Sequence, residues 1–198
     1  SKTYLYYADG RIQRITYASG KPEQRTIDYV WHPDFDSPTR IVAQGLTQDF
    51  MYASGRLTSV TQTDTTTHTS PYPTAGTQRT WSFSYNEDGQ ITAVNGPLSG
   101  SADTTTFTYG PTGSLSTFTN ALGQVWHVQE ADAHGRPTRI QDPNEVVSIL
   151  SYNDHGDLST LVSDAEGTPR SVSITYTADR QVESVSRSGL GTLSYGYD

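Results

Sequence analysis

The chain has no cysteine. That excludes disulfides, thiolate nucleophiles and zinc–thiolate centres. It has no run of ~18 apolar residues, so it offers no membrane-spanning helix. Its polar, turn-dense segments also lack the continuous lipid-facing band of an outer-membrane barrel. Positive charge is scarce: 13 Lys and Arg stand against 21 Asp and Glu, a formal net charge of −8. The basic footprint that nucleic acid requires is therefore missing, and an anionic membrane surface is disfavoured for the same reason. Charged residues make up only 17% and hydrophobic residues 33%. The first figure is too low for a charge-driven disordered chain, and the second is below that of an ordinary globular core. No secretory leader is visible.

Thr, Ser, Gly and Tyr fill the gap, as in a β-rich chain with many turns. The 13 tyrosines imply buried aromatic surface with a polar tip. They are also ordered along the chain. A large residue recurs at Tyr7, Trp31, Tyr52, Tyr85, Tyr109, Tyr152, Tyr176 and Tyr197, with Ala131 as a degenerate ninth position; the spacings are 24, 21, 33, 24, 22, 21, 24 and 21. Such a period marks one small unit copied and stacked, so function belongs to the surface or interior of the array. The chain reads as a single array over residues 1–198. It begins inside one repeat, at Thr3-Tyr4-Leu5-Tyr6-Tyr7, and ends inside another, at Tyr195-Gly196-Tyr197-Asp198, as a fragment of a longer array would.

The units align on a turn. Tyr85-Asn86-Glu87-Asp88-Gly89-Gln90-Ile91 matches Tyr109-Gly110-Pro111-Thr112-Gly113-Ser114-Leu115 and Tyr152-Asn153-Asp154-His155-Gly156-Asp157-Leu158. Gly135 holds the same place after Ala131, and Arg180 replaces the glycine after Tyr176. Loops one residue shorter carry Gly10 after Tyr7 and Gly55 after Tyr52. Glycine at this place supplies φ > 0 and closes a type I turn with a bulge, or a type I′ turn in the shorter loops. Arg180 then requires either a left-handed backbone or a different turn. Before each turn, Phe83-Ser84-Tyr85, Phe107-Thr108-Tyr109, Leu150-Ser151-Tyr152 and Ile174-Thr175-Tyr176 alternate with the period of a strand. After it, apolar residues fall three apart: Ile12 and Ile15, Leu57 and Val60, Ile91 and Val94, Leu115 and Phe118, Leu158 and Leu161, Val182 and Val185. A strand with a bulge, or one covered on both faces, accounts for this spacing. The fold class is therefore all-β, built from repeated antiparallel hairpins.

Two stretches are irregular. The interval from Tyr52 to Tyr85 is too long, and its Thr-rich excess at about 61–80 implies a long surface hairpin or loop, with an exposed binding loop as the functional alternative. The Trp31 unit carries Pro33 and Pro38, which argue against a central strand at those points.

Tyr52-Ala53-Ser54-Gly55-Arg56-Leu57-Thr58-Ser59-Val60-Thr61 resembles the YD repeat of Rhs proteins, and Gly135-Arg136-Pro137-Thr138-Arg139-Ile140 resembles its companion form. The resemblance runs through essentially the whole chain. The second residue of the YD pair is Asp at Asp132 and Asp198, but Asn, Ala, Gly or Thr elsewhere. The resemblance implies a curved, spiralling strip of hairpins that forms part of a hollow shell, as in Rhs and insecticidal toxin-complex proteins. It implies neighbouring repeats and an enclosed toxin or other cargo domain as partners, in a secreted or delivered bacterial protein. Free edges of such a segment also invite edge-to-edge self-association.

No chemistry stands out. His134 and His155 precede the turn glycine and read as exposed turn residues; two histidines fall short of a metal site. Asp88, Asp154 and Asp179 lie in turns, where turn propensity already explains them. Spacing supports no catalytic residue, cofactor or metal ligand, and the expectation is a protein that is not an enzyme. Trp31, Trp81 and Trp126 form the one candidate ligand surface, a carbohydrate-binding or adhesion platform. The regular aromatics read as stacked core.

Overall fold

The computed structural model describes residues 1–197; Asp198 and its place in the repeat lie outside the described residues. The chain forms two compact units, divided after Thr104, where the sequence reading set no boundary. The first unit holds β1 (Lys2–Tyr6), β2 (Ile12–Tyr17), β3 (Arg25–Trp31), β4 (Pro38–Ala43), β5 (Leu46–Ala53), β6 (Arg56–Asp64), β7 (Gln78–Tyr85) and β8 (Ile91–Asn95). The second holds β9 (Thr105–Tyr109), β10 (Leu115–Thr119), β11 (Val125–Ala131), β12 (Pro137–Gln141), β13 (Val147–Tyr152), β14 (Leu158–Ser163), β15 (Arg170–Tyr176), β16 (Val182–Arg187) and β17 (Gly191–Ser194). Within each unit every strand pairs antiparallel with its neighbour in sequence. No helix occurs among the described residues. Each unit is thus a meander of hairpins, as the turn and alternation patterns require.

Cross-strand register sorts the side chains, because residues directly opposite share a face. One face is apolar. It carries Ile15 opposite Ile27, Phe50–Val60–Trp81 and Phe83–Val94 in the first unit. In the second it carries Phe107–Phe118–Trp126, Leu150–Leu161–Val172 and Ile174–Val185–Leu193. The other face is polar, with Arg14 opposite Asp28, Arg40 opposite Asp49, and the row Ser151–Thr160–Ser173–Ser186–Thr192. Hydroxyls bond across it, as in Thr61 with Thr80 at 2.9 Å and Thr108 with Thr117 at 2.7 Å. Strands in either unit pack only on their neighbours in the ladder, so no second layer covers the apolar face. Among the described hydrophobic residues only Ile15 and Val147 are buried.

The spacing of three comes from a bulge. In each Tyr-type hairpin the register slips at the residue that follows the anchor's partner. Tyr152 opposes Leu158, and Ser151 opposes Thr160, leaving Ser159 unpaired. Thr58, Thr92, Ser116 and Glu183 are skipped in the same way. One extra residue shifts the alternation, which returns Leu158 and Leu161 to the same face. Hydroxyls at the bulge serve the carbonyl opposite: Thr39 donates to Val30 at 3.3 Å, Thr58 to Met51 at 3.2 Å and Ser159 to Ser151 at 3.1 Å.

The two short loops differ from each other. Ser54 and Gly55 both have positive φ, 50° and 75°, between the paired Ala53 and Arg56, which is a type I′ turn. The loop at Gly10 instead has the frame of the longer loops: Tyr7 N–H donates to Arg11 O and Gly10 N–H to Tyr7 O. Tyr6, opposite Ile12, occupies the paired position of Tyr85 or Tyr152. Tyr7 therefore lies one residue beyond the register assigned to it from spacing, because consecutive tyrosines leave the phase open. The long interval is also reapportioned: β6 runs through Asp64, β7 starts at Gln78, and the loop proper is 65–77.

Candidate functional surface

Within each unit, recurrent tyrosines tie a hairpin to the one before it. Tyr52 donates through its hydroxyl to Pro38 O at 2.9 Å, and Tyr85 to Leu57 O at 2.8 Å. Tyr152 reaches Pro137 O, Tyr176 reaches Leu158 O and Tyr197 reaches Val182 O, each at 2.8 Å. In every case the acceptor is the residue that faces the anchor position of the preceding hairpin, just before the bulge. A bulge interrupts the ladder there and leaves an acceptor for a long side chain with a donor at its tip. Each such bond contributes about 0.5–1.5 kcal/mol. Trp31 substitutes its indole, Nε1 to Ile12 O at 2.7 Å. Tyr109 holds the equivalent register opposite Leu115. Tyr7 departs from the rule and donates to Tyr29 O at 2.9 Å.

The residue after the anchor shows how Asn can stand for the Asp of the Tyr-Asp pair. Asp132 Oδ1 accepts from His134 N at 2.9 Å and Arg136 N at 3.0 Å. Asn153 Oδ1 does the same for His155 N at 3.0 Å and Asp157 N at 2.9 Å, and Asn86 Oδ1 accepts from Gln90 N at 2.8 Å. A side-chain acceptor at this place serves the turn without needing charge, and the Gly110 hairpin keeps the same backbone frame with no side chain there. Asn120 and Asp142 repeat the arrangement in the hairpins at the other ends of the strands.

The arginine after the turn glycine is a contact that spacing did not single out. The guanidiniums of Arg11, Arg56 and Arg136 lie over the anchor ring of the next hairpin: Trp31 at 5.8 Å, Tyr85 at 5.8 Å and Tyr152 at 4.6 Å. These are cation–π distances. Arg11 also donates to His32 O at 2.8 Å and Arg56 to Asn86 O at 3.2 Å. The next glycine has to make room: a Cβ on Gly89 would come within 2.8 Å of Arg56, and one on Gly156 within 2.6 Å of Arg136. At Gly10, Gly55 and Gly135 that space is open and only positive φ asks for glycine. Gly113 has φ 79°. Recurrence of Gly-Arg in the sequence was the available signal, but its direction of reach was not.

Arg180 sits at φ 62°, the left-handed alternative of the two foreseen. Its side chain turns back to the preceding hairpin, pairing with Asp157 and reaching His155 O at 3.4 Å. Bonding to this guanidinium holds the Asp157 carboxyl below the usual carboxylate range, against partial desolvation, which raises it. Arg11 lowers Asp9 likewise, and the Thr66 hydroxyl lowers Asp64.

The tryptophans have different immediate surroundings. Trp31 stacks on Tyr29 with ring centroids 5.9 Å apart, besides its bond to Ile12. Trp126 lies flat on Phe118 at 4.6 Å. Trp81 faces Val60 across β6 and β7. His134 and His155 are exposed turn residues. Among the described residues no group of three or more His, Asp or Glu is placed to hold a metal. The Trp31 hairpin closes differently from the rest, with His32 stacked on Phe35 at 3.7 Å and Tyr52 edge-on to both.

No protein-family model matches the chain, and no curated protein matches it in sequence. Solved structures do match in fold. TcdB2-TccC3 without its hypervariable C-terminal region superposes at TM-score 0.64 and 12% identity, over 100% of this chain and 11% of that one. The Photorhabdus luminescens Tc holotoxin pore superposes at TM-score 0.60 and 13% identity, over 94% of this chain and 10% of that one. The chain spans about a tenth of the length of these matches. Its hairpin array has the fold of a stretch of Tc toxin chain, in line with the Rhs-type repeat read from its tyrosines and turns.

Proposed function

We propose that this chain is a structural, non-catalytic segment of a β-shell that encloses and helps deliver a toxin domain or other cargo. The observation that carries this reading is the rung that recurs within each unit, from an anchor ring to the hairpin before it. Such a unit adds to itself without limit and builds a wall rather than a pocket. The likeness of the whole chain to a stretch of a Tc toxin supports the reading, as does an acidic surface that keeps a large particle soluble. Partners are neighbouring repeats of the same polypeptide and the enclosed domain, in a secreted or delivered protein. The test is electron microscopy of the full gene product, combined with protease protection of the domain that its repeats adjoin. A closed hollow particle whose enclosed domain resists protease is expected. An open array whose adjoining domain is digested as fast as the free domain would overturn the proposal.

A further inference from the structure

Asn95 and Gly96 form the one Asn-Gly pair in the sequence. They stand where β8 ends and the connection 96–104 begins. Three features meet there. Gly96 has no side chain, and its open side is filled by the Asp103 carboxylate; a Cβ on Gly96 would fall within 3.2 Å of Oδ1 and closer still to Cγ and Oδ2. Of that carboxylate, Oδ2 accepts from Leu98 N at 2.9 Å. Oδ1 is shielded from solvent and has no hydrogen-bond partner. The Thr104 hydroxyl donates to Asn95 Oδ1, the carbonyl oxygen of the side-chain amide. A nucleophilic backbone nitrogen, a polarised amide carbon and a spare carboxylate oxygen are therefore gathered within one short connection.

We propose that Asn95 is a site of self-catalysed deamidation, with Gly96 N as nucleophile, Asp103 as general base and Thr104 as the donor to the developing oxyanion. Gly96 N bonds to Asn95 Cγ while its proton passes to the Asp103 carboxylate. The Cγ–Nδ2 bond then breaks, and ammonia leaves with that proton. Water opens the resulting succinimide at either carbonyl, giving aspartate or isoaspartate. The product adds a carboxylate at the residue before the glycine that Asp103 covers, and the isoaspartyl form also lengthens the backbone by one carbon at the end of β8. Like charges gathered in one short connection oppose one another, so the modification loosens the 96–104 connection.

The experiment is incubation of the purified chain at neutral pH and 37 °C, with peptide mass spectrometry that separates aspartyl from isoaspartyl products at each Asn. The same chain in denaturant serves as the reference. Asn95 is expected to convert several-fold faster in the folded chain than in the denatured one. Asp103→Asn and Thr104→Val are expected to remove that advantage without changing the denatured rate, with folding checked by circular dichroism. Should either variant fail to fold, the folded-against-denatured comparison on the unaltered chain decides alone. Equal or slower conversion in the folded chain, or variants that fold and convert at the unaltered rate, would overturn the assignment.

Discussion

The hairpins anchored by Tyr152 and Tyr176 are neighbours with the same frame, yet one turns on Gly156 and the other on Arg180. In the first, Asn153 N–H donates to Asp157 O at 2.9 Å and Gly156 N–H to Asn153 O at 2.9 Å. The second has Thr177 N–H on Gln181 O at 2.8 Å and Arg180 N–H on Thr177 O at 3.0 Å. Both turn residues have positive φ, 87° and 62°. Pairing and the tyrosine rung therefore impose the turn, and the residue placed there sets only its cost. For a residue with a side chain, left-handed backbone costs roughly 1–2 kcal/mol. Arg180 offsets part of that by its reach to Asp157, and Thr177 accepts from Gln181 N at 3.2 Å where Asn153 would have used an amide oxygen.

Removing the rung should do the most damage to either hairpin. Tyr152→Ala and Tyr176→Ala each lose a half-buried ring and its bond, and a loss of about 2–4 kcal/mol is expected in chemical denaturation. Equal losses would show that the anchor dominates in both; a small effect at Tyr176 alone would break the parallel. Next comes Gly156→Ala, expected to cost about 1–2 kcal/mol from left-handed backbone together with displacement of Arg136. In an Arg136→Gln background the cost should shrink, and a double-mutant cycle measures that coupling.

A smaller step is Tyr152→Phe or Tyr176→Phe, which deletes only the hydroxyl and should cost about 1 kcal/mol at each site. Acid comes last. The folded Asp157 carboxyl is depressed below its unfolded value. Its contribution is thus complete above about pH 4 and is lost as pH falls through the folded value. Arg180→Gln should flatten that acid limb in a pH series of thermal midpoints, and an unchanged limb would remove Asp157 from the account. In high salt, where the ion pair is screened, Arg180→Gly should raise the midpoint.

How far the chain could be read depended on the range of each interaction. Turn glycines are legible because positive φ is a demand made by one residue on its own backbone. Strands such as Phe83-Ser84-Tyr85 are legible because alternation is local as well. The bulge at Ser159 was only one of two explanations for Leu158 and Leu161, since two strands must be aligned before a skipped residue exists. Tyr6 and Tyr7 could not be told apart for the same reason. Trp31, Trp81 and Trp126 looked alike as letters, yet one donates to a carbonyl, one faces Val60 and one stacks on Phe118.

The sequence by itself determined an all-β array, its period and the places of its turns, because these follow from backbone preferences within a few residues. Only the tertiary structure decided which carbonyl each tyrosine meets, that Gly-Arg reaches forward while Arg180 reaches back, and that the chain divides after Thr104. Those outcomes depend on where one hairpin sits against the next, a relation set by register and side-chain length that no single repeat contains.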